Sequence, residues 1–103
     1  MRMMMTISMP TEKTNETIRN GKLMHSIQHM LETLKPEAAY FAADEDGCRS
    51  GIVVFDLKHS SEIPKLAEPW FLGFNARVSF KPVMNPQDLM AAGPDLEAAV
   101  KNS

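Results

Sequence analysis

Two histidines and a glutamate stand at helical spacing in the first third of the chain. His25 and His29 are four residues apart and Glu32 follows three residues later, so in a helix all three would project from one face. Imidazole and carboxylate groups at this spacing can hold a divalent metal ion. That face lies opposite the apolar stripe of the same helix, where no neighbouring groups would orient the ligands. We therefore expect a solvated helix face, with no metal and no cofactor.

The inner face of the predicted sheet is a better place for a site, because polar residues alternate there with apolar ones. Thr6 in the first strand and Arg77 and Ser79 in the last would share this face. A guanidinium and two hydroxyls beside apolar side chains suit a small apolar or aromatic ligand with an anionic or hydroxyl end. Phe41 and Trp70 would flank that ligand. A simpler interpretation also fits, in which Arg77 and Ser79 are the solvated side of an edge strand and Trp70 packs in the core.

The inclusion of Phe41 depends on how the second and third strands pair. Asp46-Gly47 stands between two apolar runs, which is typical of a β-hairpin. If these two residues alone form the turn, Phe41 lies opposite Ile52 and faces the ligand, while Tyr40 points towards the helices. A shift of one residue reverses that assignment, because successive strand residues point to opposite faces. Either Tyr40 or Phe41, depending on the register, is therefore expected to face the ligand.

Candidate catalytic groups are few. Cys48 is the only cysteine, so no disulfide can form within the chain and a reducing compartment is expected. A nucleophilic thiol needs a base or a positive charge beside it, and the adjacent Arg49 would point to the opposite face of a strand. Asp56 is the one carboxylate in a strand near the predicted site, and it could act as a general base only if burial raised its pKa. No catalytic residue is assigned.

The composition is that of an ordinary globular chain. Of its 103 residues, 44% are hydrophobic and 23% are charged, and the net charge is −2, which fits a single domain spanning residues 1–103. Acidic and basic residues are interspersed, so no basic stripe would attract nucleic acid or an anionic membrane. The methionine-rich segment Met1 to Pro10 lacks the long apolar stretch of a signal peptide, and no later segment could span a bilayer. These features predict a cytoplasmic protein.

Periodicity and turn residues predict four strands and two main helices, followed by a helical tail. The strands cover about residues 2–9, 37–43, 51–57 and 76–81, and the tail covers residues 85–103. Thr14 or Asn15 could cap the first helix, which Asn20-Gly21 could interrupt and which Pro36 ends after Leu34.

The second helix should begin after a serine cap, at Ser60 or Ser61, with Pro64 in its first turn. Pro69 is expected to kink or end it. In the tail, Asn85 could cap one short helix, and Gly93-Pro94 should separate it from a last helix starting at Asp95.

The predicted order of elements is that of the ferredoxin-like α+β sandwich, βαββαβ, with a C-terminal helical extension. Right-handed crossovers then give the spatial strand order 4-1-3-2. The strands at 38–43 and 51–57 are apolar on both faces, whereas the helices suffice to cover only one face. A second copy of the chain would cover the other. We therefore expect a homodimer formed through the sheet face, with the tail packed on the partner or at the end of the barrel.

Several segments resemble a family of small bacterial proteins of unknown function. They are Lys35-Pro36-Glu37-Ala38-Ala39-Tyr40-Phe41, Ala67-Glu68-Pro69-Trp70-Phe71-Leu72, Phe80-Lys81-Pro82-Val83-Met84 and Gly93-Pro94-Asp95-Leu96-Glu97. The resemblance implies membership of the dimeric α/β-barrel group, whose two sheets pack face to face across a central cavity. Relatives in that group include cofactor-free monooxygenases, muconolactone isomerases and small enzymes with a His-Asp pair. The chain shows no matching active-site pattern.

These observations predict a small homodimer that binds a small apolar or aromatic ligand between its two sheets. The alternative is a cofactor-free monooxygenase or isomerase acting on a small aromatic substrate. In that case Arg77 would orient the substrate, and Trp70 or Tyr40 would flank it.

Overall fold

The first strand forms the centre of a four-stranded antiparallel sheet. The computed structural model describes residues 1–103. Strand β1 (Arg2–Met9) pairs with β3 (Arg49–Asp56) on one side and with β4 (Arg77–Pro82) on the other, and β2 (Ala38–Ala43) pairs with β3. The spatial order is therefore β2-β3-β1-β4. Read from the other edge, this is the strand order that the sequence predicts.

The segment between β1 and β2 forms two helices, α1 (Thr11–Arg19) and α2 (Lys22–Leu34), separated at Asn20-Gly21. Gly21 adopts a φ of 78°, a left-handed conformation that glycine adopts without strain. The expected cap at Thr14 or Asn15 is wrong, because the helix already begins after Pro10. The buried Thr14 hydroxyl instead donates a hydrogen bond to the Pro10 carbonyl at 2.7 Å. The expected end of α2 at Leu34 is confirmed.

The connection from β3 leads into α3 (Ile63–Phe74) through a single 3₁₀ turn, Ser60–Glu62. Neither expected serine provides a side-chain cap, because the 3₁₀ turn occupies that position and α3 starts three residues later. Pro64 lies in the first turn as expected. Pro69 lies inside α3 and does not end it. The helix instead stops at Phe74, where Asn75 adopts the left-handed conformation with a φ of 52°.

The helices cover one face of the sheet and form the core there. Alternate residues of β1 point into this core, namely Met3, Met5, Ile7 and Met9. The other members of the buried cluster are Leu23, Met30, Val53, Phe55, Leu57, Trp70, Phe74 and Ala76. The alternation of β1 therefore predicts its buried residues correctly, because a strand with a period of two presents every second side chain to one face.

The C-terminal residues form an arm that lies outside this core. The arm consists of α4 (Pro86–Ala91) and α5 (Gly93–Lys101), and neither helix contains a buried residue. Asn85 caps α4 in a capping box with Asp88, as its position predicts, and α5 begins at Gly93, slightly before the expected start. The arm makes the molecule elongated, at 58 × 28 × 20 Å with a radius of gyration of 16.9 Å, against about 13 Å for a compact chain of this length.

The chain contains five α-helices. None of them is both long enough and apolar enough to cross a membrane.

Candidate functional site

The hairpin between β2 and β3 turns through three residues, Glu45, Asp46 and Gly47. The Asp44 N–H donates to the Cys48 carbonyl at 2.8 Å and closes this loop. The Asp44 carboxylate accepts hydrogen bonds from the backbone N–H groups of Asp46 and Cys48, each at 3.0 Å, and Gly47 has a φ of 76°. This geometry is that of a three-residue hairpin with glycine in the left-handed position. The two-residue turn considered for Asp46-Gly47 is therefore wrong.

The longer turn shifts the register by one residue and decides between Tyr40 and Phe41. Tyr40 lies opposite Ile52, and Phe41 lies opposite Gly51. Phe41 therefore points to the helix side, where its ring covers Gly51 so closely that a Cβ atom there would lie 3.2 Å from the ring. The prediction that Phe41 shares a face of the sheet with Thr6 and Arg77 is wrong. Tyr40 takes that place, with 69% of its surface exposed.

The side of the sheet away from the helices is uncovered, and we call it the open face. On this face Thr6 lies opposite both Ile52 and Ser79, and Arg77 lies opposite Ser8, two residues further along the same pair of strands, β1 and β4. The structure thus brings together Thr6, Arg77 and Ser79, as the alternation of their strands predicts. The full open face consists of Met4, Thr6, Ser8, Ala38, Tyr40, Ala42, Ser50, Ile52, Val54, Arg77, Ser79 and Lys81, together with Arg2 and Asp56 at its end.

Trp70 lies on the other side of the sheet from the open face. Its side chain is only 4% exposed and packs against Phe74, with 5.1 Å between the ring centroids. It belongs to the buried cluster between α3 and the sheet. A ligand on the open face of the same chain could not touch it, so the prediction that Trp70 flanks such a ligand is wrong. The core interpretation of Trp70 describes its position.

One end of the open face carries a network of charges at the hairpin. The Arg77 guanidinium donates to Asp46 Oδ2 at 3.1 Å, and the Ser8 hydroxyl donates to the Asp44 carboxylate. The Ser8 hydrogen bond, followed by those from the Cys48 and Asp46 backbone, lowers the pKa of Asp44 below its ordinary value. Arg77 is 72% exposed in its side chain, so it can turn towards a ligand at the loss of only a surface ion pair.

The opposite end of the open face carries a second group of ion pairs. Arg2 binds both Glu37 and Asp88, and the contact with Asp88, at 2.7 Å, connects the sheet to the start of the arm. Asp56 accepts a hydrogen bond from the N-terminal ammonium group at 2.7 Å. That hydrogen bond and the ammonium charge lower the pKa of Asp56. A general base at neutral pH would benefit from the opposite shift.

A groove lies between α2 and α3 on the helix side, and sequence reasoning did not predict it. Its volume is about 400 Å³, and it is lined by His25, Ser26, His29, Met30, Thr33, Leu34, Lys65, Leu66, Pro69, Trp70 and Phe74. His25 and His29 are exposed, as expected, but they border this groove instead of a plain solvated face. A helical wheel gives directions relative to one helix and does not show where a second helix lies.

No group of three or more histidine, cysteine, aspartate or glutamate side chains is arranged so that it could hold a metal ion. Cys48 is a free thiol, half-buried beside the hairpin turn.

No protein-family model, curated protein or solved structure matches this chain.

Proposed function

We propose that the protein is a homodimeric ligand-binding protein with a ferredoxin-like fold, in which two open faces pack together as in a dimeric α/β barrel. The ligand is a small apolar or aromatic molecule held between the two sheets. The observation that carries this proposal is the uncovered apolar centre of the open face, flanked on one side by a row of hydroxyl and guanidinium groups.

The apolar part of the open face is contiguous. Tyr40 and Ile52 lie opposite each other, Val54 lies opposite Ala38, and Met4 continues the row on β1. Ile52 is 38% exposed although it lies in the middle of the sheet. An exposed apolar patch in the middle of a sheet is typical of a surface that another protein surface covers.

The arm is a reason to expect that the surface covering the open face belongs to a second copy of the chain. Its apolar side chains Leu89, Met90, Leu96 and Val100 are all more than half exposed, and they contribute nothing to the core of their own chain. Apolar helices that project from a sheet gain stability when they pack on a neighbouring molecule. The contact between Arg2 and Asp88 holds the start of the arm at one end of the open face, beside the proposed interface.

The polar row gives the enclosed site its chemical character. Thr6 and Ser79 place two hydroxyl groups side by side across β1 and β4, and Arg77 lies one pair further along the same face. Two hydroxyls beside Arg77 and, on the other side of Ser79, Lys81 would bind an apolar molecule that ends in a carboxylate or hydroxyl group. Binding is favoured over the oxygenase or isomerase alternative, because the one candidate base, Asp56, has its pKa shifted in the wrong direction for that role.

Native mass spectrometry, with and without added 2-naphthoate as the probe, tests this proposal. We expect a dimer that carries a small-molecule mass or takes up naphthoate. Arg77→Met should weaken uptake and leave the dimer intact. Arg19→Met is the matched control, because Arg19 is an exposed arginine in the last turn of α1 on the helix side, and it should change neither.

A monomer at every concentration would contradict the dimer. A dimer that neither carries nor takes up a ligand would contradict the binding function. A ligand that is retained equally well by Arg77→Met would contradict the position proposed for its polar end.

A further inference from the structure

We propose that the groove between α2 and α3 is a second binding site, and that it takes a small carboxylate with an apolar body. This site lies on the helix side of the sheet, away from the open face. It is therefore independent of the proposed dimer, and packing of two open faces would leave it accessible.

The size and the floor of the groove fit a small organic molecule. A volume of about 400 Å³ lies within the range of about 300 to 1,000 Å³ that ligand pockets occupy. Its floor is formed by Met30, Trp70 and Phe74, which are all buried. The aliphatic side chains of Leu34 and Leu66 extend the apolar wall on both helices. An alkyl chain or an aromatic ring would replace water at this surface, with favourable transfer of apolar area.

The charge of the groove selects an anion. Lys65, His25 and His29 are its titratable lining residues, and no aspartate or glutamate lines it. None of these three residues takes part in any ion pair of the structure. A ligand carboxylate could therefore bind the Lys65 ammonium without displacing a carboxylate of the protein. The hydroxyls of Ser26 and Thr33 offer further donors along the α2 wall.

The proline inside α3 belongs to the same wall. Pro69 lies four residues after Lys65 and has no backbone N–H, so the usual helical hydrogen bond to the Lys65 carbonyl cannot form. The Pro69 ring also lines the groove and adds rigid apolar surface there. Lys65, Pro69 and Trp70 thus place a cation, a rigid ring and an aromatic side chain on the side of α3 that borders the groove.

Trp70 provides a direct measurement, because it is the only tryptophan of the chain and it lines the groove. Titration with decanoate should change its fluorescence in a saturable way, with a Kd of about 1 mM or below. Decylammonium carries the same chain with the opposite charge and should bind more weakly, as should decanol.

Two variants separate groove binding from non-specific adsorption. Lys65→Met keeps most of the apolar stem and removes the charge, and it should weaken decanoate binding about five-fold. Lys58→Met, an exposed lysine outside the groove, is the matched control and should leave the Kd unchanged. Thr33→Phe fills the groove from an exposed position on α2, and it should abolish the signal without loss of the folded state.

Three results of the titrations would overturn the proposal. They are the absence of saturable binding, equal affinity for decanoate and decylammonium, and a decanoate Kd that neither Lys65→Met nor Thr33→Phe alters. Trp70 emission that changes with protein concentration alone would indicate that another copy of the chain fills the groove, and this too would contradict a small-molecule site.

Discussion

Replacement of Ile52 by glutamate should break the proposed dimer and leave the folded monomer intact. Ile52 lies at the centre of the open face, opposite Tyr40 on one side and Thr6 on the other. It retains 38% of its exposure, so the interior of the monomer does not depend on it. Leu72 on α3, which is 79% exposed on the helix side, gives a matched control when it is replaced by glutamate.

The size of the effect follows from the exposed fraction of Ile52. Full burial of an isoleucine side chain stabilises by about 1.5 to 3 kcal/mol, so burial of the remaining 38% contributes about 1 kcal/mol per copy. A two-fold axis places the residue in the interface twice, and its loss therefore costs about 2 kcal/mol. Burial of an unpaired carboxylate in each copy adds at least about 1 kcal/mol per site. The sum of about 4 kcal/mol corresponds to a dimer Kd raised about a thousand-fold.

Sedimentation velocity over a wide range of protein concentration measures this Kd, and circular dichroism confirms that each variant is folded. Ile52→Glu should sediment as a monomer where the unmodified protein and Leu72→Glu are dimers. An Ile52→Glu dimer with an unchanged Kd would refute the open face as the interface. Equal weakening by Leu72→Glu would place the interface on the helix side instead.

Three other predictions concern the fold that positions the site. Gly47→Ala should destabilise the protein by about 1 kcal/mol and lower Tm by about 4 to 8 °C, because position 47 needs a positive φ. Gly93 has open space around it and no positive φ, so the control variant Gly93→Ala should leave Tm unchanged or slightly higher. Equal Tm values for the two variants would contradict this role of Gly47. The folded-state pKa of Asp44 is lowered, so its carboxylate stabilises the fold above the unfolded pKa and this stabilisation is lost as pH falls through the folded pKa. Ser8→Ala should raise the Asp44 pKa in an NMR titration and reduce this loss, whereas an unchanged pKa would show that the hydrogen bond is absent in solution. Met5→Ala truncates a core side chain with 0% exposure, and urea denaturation should show that the free energy of unfolding falls by about 2 to 5 kcal/mol. A fall of less than about 1 kcal/mol would contradict the packing described for β1.

The order of the elements and the faces of β1, β3 and β4 can be predicted from the sequence because they depend on local periodicity. In β1, the alternation of Met3, Met5 and Ile7 with Met4 and Thr6 is enough to separate the covered face from the open one. Pro36 is enough to end α2, because proline disfavours a helical conformation at the preceding residue. These signals are local, and the rest of the fold does not override them.

The register of β2 could not be predicted, because Asp46-Gly47 fits both a two-residue and a three-residue turn. The deciding group is Asp44, whose carboxylate binds two backbone N–H groups across the loop. The groove was missed for a different reason. His25 and Lys65 belong to helices far apart in the sequence, and the packing of α2 near α3 brings them to one site.

The two edges of the sheet differ in how they resist the addition of a further strand. At the β4 edge, Arg77, Lys81 and Pro82 provide charge and remove one backbone donor, as protected edges in native proteins do. The β2 edge, with the sequence Ala-Ala-Tyr-Phe-Ala-Ala, has neither charge nor proline. Near the isoelectric point of about 5.9, where repulsion between molecules is weakest, edge-to-edge association through β2 should limit solubility. Ala43→Glu adds a charge at an exposed position of β2 on the side away from the open face; it should relieve this association, and light scattering against pH would measure the difference.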